Sequence, residues 1–134
     1  MLGCDAAAVQ ADRLSAASSL ARRHACVVLI KGSGSVVAAP DGSWVINPTG
    51  NGLLASGGTG DVLAGWIGGL WAQLVGHADP AVPAQRATIA AAWLHGHAAD
   101  RLLACAPSRL ALRAGELSES MREAAAALHR LTQP

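Results

Sequence analysis

The sequence has no tyrosine and no phenylalanine, and four tryptophans supply all the aromatic rings among its 134 residues. Few rings are therefore available to stack on the bases of single-stranded nucleic acid. Charge is also scarce, because ten Lys and Arg against nine Asp and Glu leave a formal charge of +1. No broad electrostatic field attracts nucleic acid or an anionic membrane surface. These shortages argue against both kinds of partner and favour recognition at a local site.

Cysteine is sparse as well. Cys4, Cys26 and Cys105 form no CxxC pair, which argues against a disulfide framework and against a thiolate zinc site. This usage fits a reducing, cytoplasmic compartment. The first residues lack a basic stretch followed by an apolar run, so no signal peptide is expected.

An apolar run without charge extends from Val62 to Gly76. As a helix rising about 1.5 Å per residue, it would span roughly 22 Å, less than the hydrocarbon core of about 30 Å. We therefore expect a buried helix here and no membrane span. The GxxxG spacing of Gly65 and Gly69 indicates close packing against another helix.

The sequence is 51% hydrophobic and 14% charged, so we expect it to fold around a core. The β-branched run before Lys31 predicts a strand buried on both faces, and the Pro-Asp-Gly turn that follows predicts a hairpin. The predicted elements are a helix at Asp5–Arg23, a strand at Ala25–Ile30, hairpin strands at Ser35–Ala39 and Ser43–Asn47, and helices at Asp61–Gly76, Pro80–Cys105 and Ser118–Leu131. They predict part of an α/β layered domain with a single central strand.

Residues 48–60 form a loop with five glycines, a length and composition typical of a functional loop. Its end, Gly57-Gly58-Thr59-Gly60, opens the apolar helix. Glycines admit a ligand close to the backbone, and free N–H groups at a helix N-terminus suit a phosphate. Asp61 follows directly and can accept a proton from a hydroxyl beside that phosphate. The alternative is a tight turn in which Asp61 only complements the helix dipole.

Lys31, the single lysine, follows the predicted strand at the edge where ligands of open α/β sheets bind. The alternative is a side chain that extends from the strand end to solvent. No Lys-Ser or Lys-Thr follows the glycine loop, so it is not a Walker A motif, and residues 32–37 lack the third glycine of a dinucleotide fingerprint. His95 and His97, two apart on a predicted helix, point to nearly opposite sides, so no metal-ligating residue is predicted.

Three segments together resemble one family: KGSGS at residues 31–35, NPTGNGLLASGGTGDVLAGWIGGLWAQ at residues 47–73, and LHGHAAD at residues 94–100. They are similar to the C-terminal half of the ADP/ATP-dependent NAD(P)H-hydrate dehydratases, which belong to the ribokinase-like superfamily. The resemblance implies that residues 1–134 are the C-terminal part of a single ribokinase-like α/β domain. Domains of the family are about twice as long, in line with ordinary domain sizes.

The resemblance also implies an activity: the hydroxyl of hydrated NADH or NADPH is phosphorylated by ADP or ATP with Mg²⁺, and phosphate is then eliminated. Asp61 would contact the hydrated nicotinamide and act as the base, and Gly60 would contact the phosphate side of the nucleotide. The residues expected to bind the adenine nucleotide are Lys31, Gly32, Ser33, Gly34, Ser35, Asn51, Gly57, Gly58, Thr59 and Gly60. A homo-oligomer is expected from the family.

Two alternatives to the dehydratase remain open from the sequence. A ribokinase-like kinase that phosphorylates a small alcohol and stops there would use Asp61 and the anion hole equally well. A non-catalytic fragment, or a subunit whose partner supplies the missing half, would explain an exposed strand edge at Ala25–Ile30. Release of an intact phosphorylated product would favour the kinase. A cooperative unfolding transition of a monomer would argue against the incomplete subunit.

Overall fold

The computed structural model of the protein describes residues 6–74, 76 and 79–132. Cys4 and the predicted helix start at Asp5 lie outside the described residues. The α-helices are α1 (Ala6–Ala11), α2 (Arg13–His24), α3 (Thr59–Gln73), α4 (Ala81–Cys105) and α5 (Ala114–Thr132), the strands are β1 (Val28–Ile30), β2 (Val36–Ala38) and β3 (Trp44–Ile46), and a 3-10 helix covers Gly52–Ala55. The fold is therefore α/β, as predicted, with a small sheet.

The predicted first helix is interrupted at Asp12, so the expectation of one continuous helix was wrong. The Asp12 carboxylate accepts a hydrogen bond of 2.9 Å from the backbone N–H of Ser15 and caps the start of α2. Aspartate is among the residues that favour this capping position, because its side chain satisfies an N–H group left free by the helix. Ala25, at φ 48°, ends α2 in the left-handed region.

The three strands form one antiparallel sheet in the order β1-β2-β3, with Leu29 opposite Val37 and Val37 opposite Val45. The hairpin prediction is confirmed by β2 and β3. The prediction of a first strand buried on both faces was wrong: β1 is half-buried at the sheet edge, and Cys26 is exposed. The buried strand is β2, because it has a neighbour on each side and α2 packs beside it through Ala17 and Ala21.

The main core lies between α3, α4 and α5. Leu117 and Met121 of α5 are fully buried against α4 residues such as Leu94. Helix α5 begins at Ala114 and not at the predicted Ser118. The start is stabilised by half of a capping box, in which the Glu116 carboxylate accepts a 2.9 Å hydrogen bond from the backbone N–H of Arg113, three residues earlier.

Helix α3 is largely exposed, which contradicts the predicted buried helix. Its buried residues are Thr59 and Leu63, and Trp71 keeps 46% of its surface exposed. A Cβ atom built at Gly65 or Gly69 meets nothing within 4 Å, so the close helix packing expected at this pair is absent from the described structure. Apolar composition alone therefore predicted burial wrongly for α3, whereas α4 buries ten residues against its neighbours. Among the described residues, no helix has the length and apolarity that a membrane crossing requires.

Candidate functional site

A cavity of about 470 Å³ lies between the segment that follows β1, the segment that follows β3 and the middle of α4. Its volume is in the range of roughly 300–1,000 Å³ that is typical of small-molecule sites. It brings together two sequence motifs that are separated along the chain. The residues predicted to bind nucleotide that line it are Lys31, Gly32, Ser33, Gly34, Ser35 and Asn51, and α4 contributes Ala92 and His95.

The first wall is the loop at residues 31–35. The Ser35 hydroxyl donates to the carbonyl of Gly32 at 3.0 Å, and the N–H of Gly32 lies 3.2 Å from the same hydroxyl oxygen. Gly34 has a φ of 68°, a conformation that side chains disfavour. The Arg13 guanidinium donates to the Ser33 carbonyl and lies against Gly32, where a Cβ atom would overlap it. Arg13, which no sequence motif indicated, thus holds this loop to the start of α2.

The second wall is the loop at residues 47–51, which lies directly on α4. The buried Asn47 amide donates hydrogen bonds of 3.1 Å to the carbonyls of Thr49 and Ala92. The Thr49 hydroxyl is 3.0 Å from the Trp93 carbonyl oxygen. A Cβ atom at Gly96 would come within 2.5 Å of the Thr49 carbonyl, so the loop and helix backbones make a contact that only glycine permits.

The Asp100 carboxylate fixes the end of this second loop. One oxygen accepts the backbone N–H of Gly50 and the other accepts the Asn51 side-chain amide, both at 2.9 Å. The Asn51 amide oxygen in turn accepts the N–H of Leu53 at 3.0 Å and caps the 3-10 helix. Asn51 therefore lines the cavity while its amide group is engaged within the protein.

The predicted anion hole stands beside the cavity at the start of α3. Gly57, Gly58, Thr59, Gly60 and Asp61 are not among the residues that line the cavity itself. Gly58, at φ 81°, begins the helix, and the buried Thr59 hydroxyl lies 2.9 Å from the carbonyl oxygens of two earlier loop residues, Leu54 and Ser56. The first backbone N–H groups of α3 donate to no acceptor among the described residues, as expected for the first turn of a helix.

Lys31 connects this helix start to the cavity. A Cβ atom at Gly60 would lie 3.2 Å from the Lys31 ammonium nitrogen, which places that charge at the N-terminus of α3. A cation beside the positive end of a helix dipole makes this corner favourable for an anion. Asp61 is exposed, and its carboxylate has no hydrogen bond or ion pair with any residue that the structure describes. It is therefore free to accept a proton from a ligand.

His95 is the buried titratable group of the site. Its Nε2 lies 2.8 Å from the Thr59 carbonyl oxygen, which can only accept, so Nε2 carries the hydrogen. Burial lowers the pKa of His95 below its ordinary value, the hydrogen bond to Thr59 opposes this, and the nearby Lys31 charge adds to the lowering. The ring is therefore neutral at pH 7 and holds the start of α3 against α4.

His95 and Asp100 were missed as site residues by sequence reasoning. Their motif contributed to the family resemblance and was considered for metal binding, but neither residue was given a role in the site. Within the described part of the chain, no group of three His, Cys, Asp or Glu side chains could hold a metal ion. His97 stacks on Trp93 with ring centroids 4.6 Å apart, while His95 faces Thr59. The LHGHAAD spacing gave the only signal, since His95, Gly96 and Asp100 all face the loops.

The structure defines an α/β protein with a cavity of small-molecule size, and comparisons with known proteins specify the family. The family model described as NAD(P)H-hydrate dehydratase matches residues 1–122. The chain therefore belongs to the NAD(P)H-hydrate dehydratase family.

Individual relatives agree with this assignment. The ADP-dependent (S)-NAD(P)H-hydrate dehydratase of Neisseria meningitidis serogroup B is 41% identical over 122 residues, which are 91% of this chain and 39% of that protein. The ADP/ATP-dependent NAD(P)H-hydrate dehydratase of Bacillus subtilis, co-crystallized with ATP/Mg²⁺ and soaked with CoA, superimposes with a TM-score of 0.77 at 38% identity, covering 92% of this chain and 43% of that one. A second structure of that enzyme, co-crystallized with ATP/Mg²⁺ alone, gives a TM-score of 0.76. The chain thus spans about two fifths of the length of these relatives.

Proposed function

We propose that this chain takes part in the ADP- or ATP-dependent dehydration of hydrated NADH or NADPH, as the C-terminal part, residues 1–134, of a single ribokinase-like domain. The observation that carries the proposal is the corner where the Lys31 ammonium meets the N-terminus of α3 beside the cavity. That corner supplies positive charge and free N–H groups for phosphate. Family membership supplies the substrate class.

In this proposal the adenine nucleotide lies along residues 31–35, with its phosphates toward Gly57, Gly58, Thr59 and Gly60. The loop at residues 31–35 is already closed by Ser35 and held by Arg13, so little ordering is needed on binding. The glycine N–H groups and Lys31 stabilise the charge that develops on the transferring phosphoryl group. Asn51 contributes by keeping the second wall in place.

Asp61 is proposed as the base and as a contact to the hydrated nicotinamide. The hydroxyl oxygen forms a bond to the terminal phosphorus of the nucleotide while the bond from that phosphorus to the bridging oxygen breaks, so the shortened nucleotide leaves and the hydroxyl proton passes to the Asp61 carboxylate. The carbon–oxygen bond of the phosphorylated intermediate then breaks, phosphate leaves with the bonding electrons, and the neighbouring ring carbon loses a proton to water, which restores the dihydropyridine. Hydroxide, a poor leaving group, is thus exchanged for phosphate.

The described residues fit a nucleotide-held Mg²⁺ better than a protein cage. They contain no group of three candidate ligands, and Mg²⁺ commonly uses one or two carboxylates together with substrate phosphates. When bound, the ion would neutralise phosphate charge. No residue of this chain is assigned as a dedicated metal ligand.

The proposal includes self-association through the exposed apolar side of α3. This helix carries one charged residue, Asp61, and leaves Trp71 46% exposed. A second copy would cover such a face and remove it from water. Light scattering after size-exclusion chromatography should show a multimer that Trp71→Glu converts to smaller species, whereas a wild-type monomer would contradict this part.

The activity is tested by the recovery of NADH absorbance from hydrated NADH with ADP or ATP and Mg²⁺. We expect recovery that requires nucleotide, is lost in Asp61→Asn and persists in Glu119→Gln, a carboxylate variant on the exposed face of α5. Phosphate and NADH should appear together. Accumulation of an intact phosphorylated product would identify a kinase instead, and no turnover by folded, nucleotide-binding chain would show that this part alone is not an active dehydratase.

A further inference from the structure

Two loops of the site rest on the same helix, through residues that the proposed chemistry does not use. Asp100 of α4 binds the loop at residues 47–51, and His95 of α4 binds the start of α3 through Thr59. The two residues are five apart, or about 7.5 Å along a helix. We propose that His95 and Asp100 are positioning residues, which set the distance between the loop at residues 47–51 and the start of α3, where the phosphates are proposed to lie.

The Asp100 contact is specific to a carboxylate. Both of its oxygens accept, one from the Gly50 backbone and one from the Asn51 amide, each at 2.9 Å. Gly50 has a φ of 111°, one of several conformations open to glycine, and the Asp100 contact selects it. Asparagine at position 100 could satisfy only one of the two donors, because its own amide nitrogen would face that of Asn51. Rotation of the Asn51 amide would in turn release the N–H of Leu53.

The His95 contact holds the start of α3. The side chain is 4% exposed, and its Nε2–H donates to a carbonyl in the first turn of α3 at 2.8 Å. That carbonyl belongs to Thr59, whose neighbour Gly60 faces the Lys31 ammonium. A change at His95 therefore displaces the N–H groups proposed to bind phosphate. Neither His95 nor Asp100 is assigned a contact with the reacting atoms.

Gly96, between the two residues, makes the arrangement rigid. The Thr49 backbone lies where a side chain at Gly96 would be, so the loop contacts the helix backbone directly. A helix is stiff over this length, whereas each loop alone has glycine-rich freedom. Because the loop at residues 47–51 and the start of α3 are both attached to α4, on successive turns, the distance between them is fixed.

Paired variants test the inference, which rests on the proposed function only in its nucleotide readout. Glutamine at position 95 can place an N–H donor near the position of the imidazole Nε2, whereas leucine cannot. His95→Leu is therefore compared with His95→Gln. Asp100→Asn is compared with wild type. We expect Mg²⁺–ATP affinity, measured by calorimetry on the folded fraction, to fall about tenfold in His95→Leu and Asp100→Asn, which corresponds to one lost hydrogen bond. In His95→Gln it should stay within about threefold. In active enzyme KM for the nucleotide should rise more than kcat falls.

Hydrogen exchange gives a readout that does not depend on nucleotide binding. In Asp100→Ala, which removes the acceptors of both donors, the Gly50 amide should exchange about tenfold faster than in wild type, relative to core amides of α5. Equal exchange at Gly50 would overturn the inference, as would equal nucleotide affinity in His95→Leu and wild type. If wild type binds no nucleotide, the proposed function fails, and the Gly50 exchange alone decides whether Asp100 positions the loop.

Discussion

Helix α4 buries ten of its 25 residues although it carries Arg86, Asp100 and Arg101, whereas α3 has one charged residue in fifteen and buries only Thr59 and Leu63. The difference follows from what surrounds each helix. Helix α4 is packed against α3, α5 and the loop at residues 47–51, while α3 has described neighbours on one side. Composition indicates how much apolar surface a helix offers, and its neighbours decide how much of that surface is covered.

The largest contrast is expected from matched leucine truncations. Leu94→Ala removes a side chain that is 6% exposed in the main core, and such truncations destabilise by about 2–5 kcal/mol. Leu70→Ala in α3 removes a half-buried side chain at the shallow groove beside α5 and should cost clearly less. Urea unfolding followed by circular dichroism measures both. Equal losses of unfolding free energy in the two variants would show that the outer side of α3 is covered in solution. That result would support a partner bound to this side of the helix.

Replacing a glycine by alanine should lower the stability of the protein when the glycine is in α4 and raise it when the glycine is in α3. Gly96→Ala introduces a Cβ atom that overlaps the Thr49 backbone, and overpacking of this kind costs about 1–3 kcal/mol. Gly69→Ala meets nothing within 4 Å and should stabilise α3 by up to about 1 kcal/mol through helix propensity. Melting temperatures of the two variants check the prediction. A stable Gly96→Ala variant would mean that the loop does not rest on α4 as described.

The smallest expected effect is the pH dependence contributed by His95. Burial lowers the pKa of the folded residue, whereas the unfolded residue titrates near 6.5. Below that pH the unfolded chain takes up a proton that the folded chain does not, so stability falls as pH decreases and is unaffected by His95 above it. His95→Gln should therefore show a flatter stability profile as the pH falls below about 6.5. An unchanged profile would indicate that His95 titrates normally in the folded protein.

The sequence predicted the chain's local features well and its long-range ones poorly. The β2–β3 hairpin follows from the Pro40-Asp41-Gly42 turn, and Asp41 does accept from the N–H of Ser43 at 2.8 Å. The residue 31–35 and 47–51 segments meet at one cavity, as expected of one site. The first strand and α3 were predicted to be more buried than they are. An apolar run indicates how much surface a segment could bury. The segments that would cover it lie elsewhere in the sequence, so the run alone does not show whether it is buried.

The positioning residues were missed for the same reason. His95 contacts Thr59 across 36 residues, and Asp100 contacts Asn51 across 49. Because each contact joins residues that are far apart in the sequence, the periodicity of apolar residues within α4 could not reveal it. The interruption of the first helix at Asp12 and the early start of α5 at Ala114 were readable in principle, since each involves a hydrogen bond between a carboxylate and a backbone N–H three residues away.

The most direct test of the account is the set of glycine amide signals in a ¹⁵N NMR spectrum of the chain, titrated with ATP and Mg²⁺. The account predicts shifts at Gly32, Gly34 and Gly60, which border the cavity or face Lys31, and no shifts at Gly65, Gly68 and Gly69 on the open side of α3. Shifts confined to the second group, or none at saturating nucleotide, would contradict a nucleotide site bordered by the loop at residues 31–35 and the start of α3.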